Sequence, residues 1–360
     1  MTYRALLRGY LLEEALAWLL RNAGYRLLVH DSQDPEELVM EGRTLLVRGR
    51  GTTHQVDVLG EFALTPAFSL PIRMFLEAKF NRDPCGLPVV RNAHGVIHDI
   101  NENFVHVSGS QPRRRYRYVY SLFSASGFTG QAQDYALAQQ ISLVDLSGVS
   151  FDWLRDSISD AAAQLYALRN QHQVTRFPVN WMRHALRVRL GTVPLEDASL
   201  HQRDDLAPGM ATNAPRFQEA AEQVIRTFTT TLPARENDEL LLGFPAAPFI
   251  LPLGADEPVR FIEYADHRPA HAIRLRRTGW GRHTEWSASP WDAPDAYRLA
   301  FTLPERIESW ISENEERRRR RASAIKSDFL SDITIYRRAD AVMRIYHLRY
   351  EPSELHRPIS

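Results

Sequence analysis

The chain has 360 residues, 44 Lys plus Arg against 44 Asp plus Glu, 44% apolar and 24% charged residues; that length predicts about two domains with a sizeable core. The charge is even within residues 1–150 as well, 15 basic against 15 acidic, so bulk charge announces no nucleic-acid partner, and local patches would have to hold one. A single cysteine, Cys85, excludes a disulfide framework and fits a reducing, cytoplasmic compartment, while the absence of an 18-residue apolar run and the charges at Arg4, Arg8 and Glu13-Glu14 argue against a membrane span or a signal peptide.

In chain order, LRGYLLEEALAWLLRNAG predicts an amphipathic helix with Leu7, Leu11, Ala15, Trp18 and Leu19 as its apolar stripe and Gly24 as its stop. Tyr25 to Val29 reads as a strand. Residues 44–62 and 72–80 read as neighbouring strands around Thr65-Pro66. Within RMFLEAKF, Met74, Leu76, Ala78 and Phe80 fall on one face, and Phe75, Glu77 and Lys79 on the other. A loop over 81–88 leads to a helix through Val89, Ala93, Val96 and Ile100. YRYVYSLFSAS, apolar on both faces, predicts a central parallel strand. Thr129 is placed as the N-cap of a helix over about 130–140, and ISLVDLSG as a closing strand.

Residues 1–150 are thus expected to be an α/β domain with a mixed sheet flanked by helices, 151–234 a helical connector, and 235–360 an α+β domain for sensing or assembly. In the last part ELLLGFPAAPFILPL, VRFIEYADH and AHAIRLRRTGW look strand-like. Trp280, Trp286 and Trp291 are either core or a binding surface. From Thr302, Pro304 and Glu305, a capping-box pattern, one long helix is expected to about Ser331. Its run Arg317–Arg321 follows Glu313, Glu315 and Glu316 at the four-residue spacing of a self-compensated, solvated helix face.

The chemistry concentrates at Asp57 and Glu77-Ala78-Lys79. Asp57, between Val56 and Val58, projects from the polar side of its strand toward the Glu77/Lys79 face. Two hard oxygen ligands suit Mg²⁺ or Mn²⁺, and a metal so held supports phosphodiester hydrolysis. The bland alternative is an ion pair at a strand edge. Against it stands the usage of lysine, which occurs only at 79 and 326 among the 44 basic residues; a chain this biased to arginine keeps lysine where a compact ammonium is needed. Arg48, Arg50 and His54, in the glycine-bearing loop RGRGTTH, are candidates for phosphate contact or simply a solvated basic loop. Arg113–Arg115 and Arg117 carry the same two readings. No Walker A loop is present, since Ala78 precedes Lys79 and Ile325 precedes Lys326. No Cys/His zinc spacing occurs.

The ordered set of Glu13 on a helix ending at Gly24-Tyr25, Asp57, Glu77-Ala78-Lys79 and then YSLFSASGFTGQAQDYALAQQISLVDLSG resembles the PD-(D/E)xK nuclease superfamily, in particular the catalytic domain of Mrr-type restriction endonucleases, over about residues 1–148. The resemblance implies a restriction-endonuclease-like domain in which Asp57 and Glu77 bind Mg²⁺, Lys79 assists the attacking water and Glu13 is the helix carboxylate. It implies a metal-dependent endodeoxyribonuclease in defence against foreign DNA. The family's Gln-x-x-x-Tyr pair is not evident; Asn92 or His94 stands in that place. The expected partners are DNA, further copies of the chain and, where nucleotide energy is needed, an ATPase or helicase. Two other readings stay open: a nuclease for junctions or RNA, and a non-catalytic DNA-binding or assembly subunit of an ATPase-containing complex.

Overall fold

The computed structural model describes residues 3–65, 68–103, 114–193, 214–232, 239–247, 249–278, 284–313, 317–339 and 342–350. Helix α1 (Tyr3–Asn22) buries Leu7, Leu11, Leu12, Ala15, Leu16, Leu19 and Leu20 and stops at Gly24, whose φ of +93° places it among left-handed turns. Strand β1 (Tyr25–Leu28) follows directly. Residues 44–62, expected as one strand, are cut into three. Strands β2 (Leu38–Glu41), β3 (Thr44–Arg48) and β4 (Thr53–Gln55) form a separate three-stranded sheet, and only β5 (Val58–Phe62) joins the main one. The cause lies at RGRGTTH, which curls around the Asp99 carboxylate. Asp99 accepts the Gly51 N–H (2.9 Å) and the Thr52 N–H (3.4 Å), and a Cβ on Gly49 would lie 2.0 Å from its oxygen.

The main sheet runs β1-β5-β6-β7-β8, with β6 (Ile72–Lys79), β7 (Arg117–Ser124) and β8 (Ser142–Asp145) mutually parallel and β5 antiparallel to both β1 and β6. Helices α2 (Leu87–Asn101) and α3 (Gly130–Ala138) make the parallel crossovers, and the Thr129 hydroxyl caps α3 by accepting the Ala132 N–H (3.4 Å). The alternation read in β6 sorts the two cores. Met74 and Leu76 pack with α1, whereas Phe75 packs with Val90, Ala93 and Ala132 of α2 and α3. Close approach of α1 to the sheet depends on Gly60, where a Cβ would lie 2.8 Å from the Leu20 side chain and 2.9 Å from Tyr25 Cβ. Gly60→Ala is therefore expected to lower unfolding stability by about 1–3 kcal/mol, read as a lower urea midpoint. An unchanged midpoint would mean that α1 can shift without cost.

Helices α4 (Asp152–Gln171), α5 (Val179–Leu190) and α6 (Ala214–Thr231) share the α1 core through Leu154, Ile158, Met182, Leu186, Phe217 and Ile225. The last third closes a seven-stranded barrel, which the α+β expectation did not contain. Its strands are β9 (Glu239–Pro245), β10 (Leu251–Ala255), β11 (Ala270–Thr278), β12 (Glu285–Pro290), β13 (Leu299–Phe301), β14 (Asp332–Ala339) and β15 (Val342–Arg349), in the order β10-β13-β12-β11-β15-β14-β9. Closure removes the edges such short strands would otherwise leave unpaired.

Two element assignments are corrected. VRFIEYADH is not a strand but lies in helix α7 (Pro258–His267); Pro258 occupies the first turn, and Phe261 and Ala265, four apart, are buried. The long helix after Thr302 is two, α8 (Glu305–Ser312) and α9 (Arg318–Asp328). Pro304 stands at the N-cap of α8 without a side-chain cap. Arg321 ties the helices together, donating to the Trp310 carbonyl and pairing with Glu313 at 3.2 Å. The expected pairs from Glu315 and Glu316 lie outside the described residues, as do Arg113 and Trp280. Trp286 is fully buried in the barrel core, the bland reading of the tryptophan cluster. Among the described residues no helix is long and apolar enough to cross a membrane. The chain is a mixed α/β protein with several sheets.

Candidate active site

Asp57 sits at the break between β4 and β5. The register pairs Val58 with Leu76, so the next step outward sets Asp57 opposite Glu77 at the C-terminal end of β6. The Ala78 N–H donates to Asp57 Oδ2 (2.9 Å). Burial pushes the Asp57 carboxyl above its ordinary value; the Ala78 N–H counters this, and the Glu77 charge adds to the rise. Both Glu77 oxygens are engaged, Oε1 with the Lys79 ammonium and Oε2 with the Tyr120 hydroxyl. Burial works against the Lys79 ammonium, but the Glu77 hydrogen bond and charge, with Asp57 behind them, hold its pKa above the ordinary lysine value. Lys79 is thus a charged donor at neutral pH and not a base.

Tyr120 was not singled out from the sequence, although the alternation of β7 contains it. Tyr118, Tyr120 and Leu122 share one face, and register sets Tyr120 beside Phe75, the residue two before Glu77 on the same face.

Glu13 and Glu14 meet α5. Arg183 reaches Glu13 Oε2 at 2.7 Å through Nη2 and Glu14 Oε1 at 2.7 Å through Nε, while Arg187 Nε reaches Glu14 Oε2 at 2.9 Å. Glu14 is 1% exposed. Burial alone would push its carboxyl up, but Arg187 and Arg183 hold it below the ordinary range. Glu13 differs: burial outweighs Arg183, the Asp57 charge adds to the rise, and the carboxyl is pushed up to about 7. Glu13 and Asp57 line a common cleft of about 180 Å³ with Tyr10, Gln55, Asn180 and Arg183; Glu77 and Lys79 lie outside its walls. Neither Arg183 nor Arg187 carries a sequence signal beyond its four-residue spacing in α5.

A carboxyl whose folded pKa exceeds its unfolded value stabilises fully below the unfolded pKa of about 4.5, and this contribution fades as pH rises through about 7. The unfolding free energy is expected to fall across that window, and Glu13→Gln to flatten the fall. Urea midpoints at about pH 5 and about pH 8 measure it. An equal pH slope in wild type and Glu13→Gln would refute the assignment.

The loop candidates are held elsewhere. Arg50 pairs with Glu102 at 3.2 Å, and His54 Nε2 lies 2.8 Å from Asp99 Oδ2, both at the C-terminal end of α2. Asn101 there brackets Tyr118, donating to its carbonyl and accepting its N–H (2.9 Å each). Tyr118 is in register with Arg73, six residues before Lys79, a span on the order of 20 Å along β6. Arg48 is half-buried on β3, with its N–H on the Glu37 carbonyl. Asn92 is exposed on α2, and His94 Nδ1 lies 3.0 Å from the Tyr135 hydroxyl. Asp57, Glu77 and Lys79 are brought together, with Glu13 in electrostatic reach of Asp57; Arg50 and His54 are tied to the far end of α2 and do not join them.

As a metal site, the pair Asp57/Glu77 offers Asp57 Oδ1 and the Glu77 carboxylate. Among the described residues no three His, Cys, Asp or Glu side chains gather around one point. Two adjacent carboxylates, one with its pKa raised by burial and further by the other's charge, do fit a hard divalent cation, and Mg²⁺ keeps several waters when bound by one or two carboxylates.

No family model matches the chain, and no curated protein matches it. Among solved structures it is similar to a crystal structure described as a protein of unknown function, at 16% identity and a TM-score of 0.31, over 61% of this chain and 98% of the other.

Proposed function

We propose that the protein is a metal-dependent endodeoxyribonuclease with a restriction-endonuclease-like N-terminal domain, acting on foreign DNA. The observation that carries the reading is the juxtaposition of Asp57 and Glu77 across β5 and β6 beside Lys79. Asp57 and Glu77 would hold Mg²⁺ or Mn²⁺, which when bound polarises a phosphoryl oxygen and acidifies a water. Lys79, kept charged by Glu77 and Asp57, donates to the attacking water and offsets charge developing on the phosphoryl oxygens. Glu13, with its carboxyl pushed up to about 7, holds or yields a proton near neutral pH beside Asp57. The barrel would sense the target or assemble copies of the chain, and any nucleotide-driven step would come from an ATPase or helicase partner.

The test is cleavage of plasmid, branched DNA and RNA side by side, with and without Mg²⁺ or Mn²⁺, on methylated and unmethylated DNA. Metal-dependent nicking of duplex DNA supports the reading; preference for junctions or RNA moves it to those substrates. A second reading, a non-catalytic DNA-binding or assembly subunit of an ATPase-containing complex, draws on the engagement of both Glu77 oxygens by Lys79 and Tyr120. Absence of cleavage on every substrate, with partner-dependent assembly intact, would favour it.

A further inference from the structure

The barrel turns one side to the rest of the chain and one side away from it. Tyr336 of β14 packs edge-on against Phe62 (4.9 Å), Leu240 and Leu242 of β9 join the α1 core, and Gly254 of β10 lies against Ser150. Strand order puts β12, β11 and β15 on the opposite side. Alternation then decides what they present. Ile273 and Leu275 enter the barrel core, so Arg274 and Arg276 face outward, with Ser289 and Ser287 in register beside them on β12. Arg349 of β15, in register with Ala272, faces the same way. Arg276 and Arg349 are exposed; Arg274 is half-buried, its guanidinium 4.0 Å from the Trp291 ring centroid.

Among the described residues none of these three arginines has a carboxylate partner. Asp332, opposite Arg349 on β14, lies instead 3.5 Å from His347 Nδ1. Other barrel arginines are supplied with one. Arg277, on the inner face of β11, meets Glu308 at 2.7 Å, Arg298 meets Asp256 at 2.9 Å, Arg337 meets Glu239 at 3.3 Å and Arg344 meets Asp266 at 3.7 Å. Like charges side by side on a sheet face repel, so a partner that brings negative charge would stabilise this face. Residues two apart on a strand are separated by about 7 Å, and diagonal neighbours on adjacent strands by about 7–8 Å. Arg349, Arg274 and Arg276 therefore form a row at the spacing of successive phosphates on a nucleic-acid strand, flanked by two serine hydroxyls able to donate to phosphate oxygens. The row offers an unstacked base no ring beyond Trp291, over which Arg274 already lies; that argues against a single strand. We infer that this outer face of β11, β12 and β15 binds the phosphate backbone of duplex DNA, with Arg274, Arg276 and Arg349 each meeting a phosphate. The inference deepens the sensing role proposed for the barrel and rests on that reading for its partner, but not on catalysis at Asp57 and Glu77.

Titration of the full chain into a short labelled DNA duplex, read by fluorescence anisotropy in EDTA at several salt concentrations, tests it. Each phosphate contact adds about 0.9 to the slope of log affinity against log salt. The double variant Arg276→Ala/Arg349→Ala is therefore expected to lower that slope by about 2 and to weaken binding roughly tenfold or more at low salt. Both side chains are exposed, and a melting curve reports whether the variant is folded; if it is not, Arg276→Gln carries the comparison with a slope change of about 1. Arg344→Ala, which removes an arginine that has a carboxylate partner, should change neither quantity. An unchanged slope in the folded variant, an equal loss in Arg344→Ala, tighter binding of single-stranded DNA or polyglutamate, or no DNA binding at low salt would each overturn the inference. Cleavage in Mg²⁺, measured alongside, separates the two readings. A chain that binds through these arginines and cuts nothing loses the nuclease assignment alone, whereas one that cuts DNA while the double variant binds like wild type loses the barrel inference alone.

Discussion

Lys79→Ala is expected to lower Mg²⁺-dependent nicking of duplex DNA by about 10²–10³-fold, the usual effect of deleting one charged donor aimed at a developing oxyanion. The side chain is about a third exposed, so the fold should survive, which an unchanged melting curve would confirm. Lys79→Arg should recover little, because a planar guanidinium cannot take the place of a compact ammonium between Glu77 and Asp57. Asp57→Ala should lose activity to a similar degree by removing one of the two carboxylates proposed to hold the metal. Full nicking by folded Lys79→Ala or Asp57→Ala would end the nuclease assignment.

The largest effect on stability is expected at Arg73, which is fully buried in β6. Its Nη2 lies 2.6 Å from Asp34 Oδ2 and 2.9 Å from Glu61 Oε2, its Nη1 donates to the Tyr118 hydroxyl (3.0 Å), and its guanidinium stacks 3.3 Å from the Tyr116 ring centroid. Tyr118 in turn donates to Glu37 Oε2 (3.2 Å). Arg73→Met keeps the bulk but leaves these carboxylates without their counter-charge, and breaking a buried pair in this way costs about 3–5 kcal/mol. Urea unfolding measures the loss. Adding Glu61→Gln should restore part of it, since contacting residues are not additive. A double variant no more stable than Arg73→Met would mean that Glu61 is compensated by Arg26 and Arg114, 3.4 and 4.0 Å away.

Much of the first 150 residues was legible because each element there obeys one dominant period. The stripe in α1, the alternation in β6 and the two-sided apolar run of β7 each fix which side chains face which core. The barrel was not legible. Its strands are short, broken by prolines and closed by pairings between residues far apart, such as Ile333 of β14 with Pro245 of β9. The nine-residue apolar spacing of VRFIEYADH fits a strand or a buried helix turn equally, and only its seat against the barrel core decides it.

The candidate site divides the same way. The sequence by itself determined that Glu77 and Lys79 leave β6 on one face, because side chains alternate on any strand, and it set Asp57 on the polar side of the preceding strand. Only the tertiary structure decided that Asp57 stands opposite Glu77, that Tyr120 closes on Glu77, and that Arg183 and Arg187 neutralise Glu14 while Glu13 stays beside Asp57. The reason is physical. Spacing along a chain sets direction within one element, but the partner of a buried charge comes from whichever distant segment can bring a counter-charge into the same low-dielectric space.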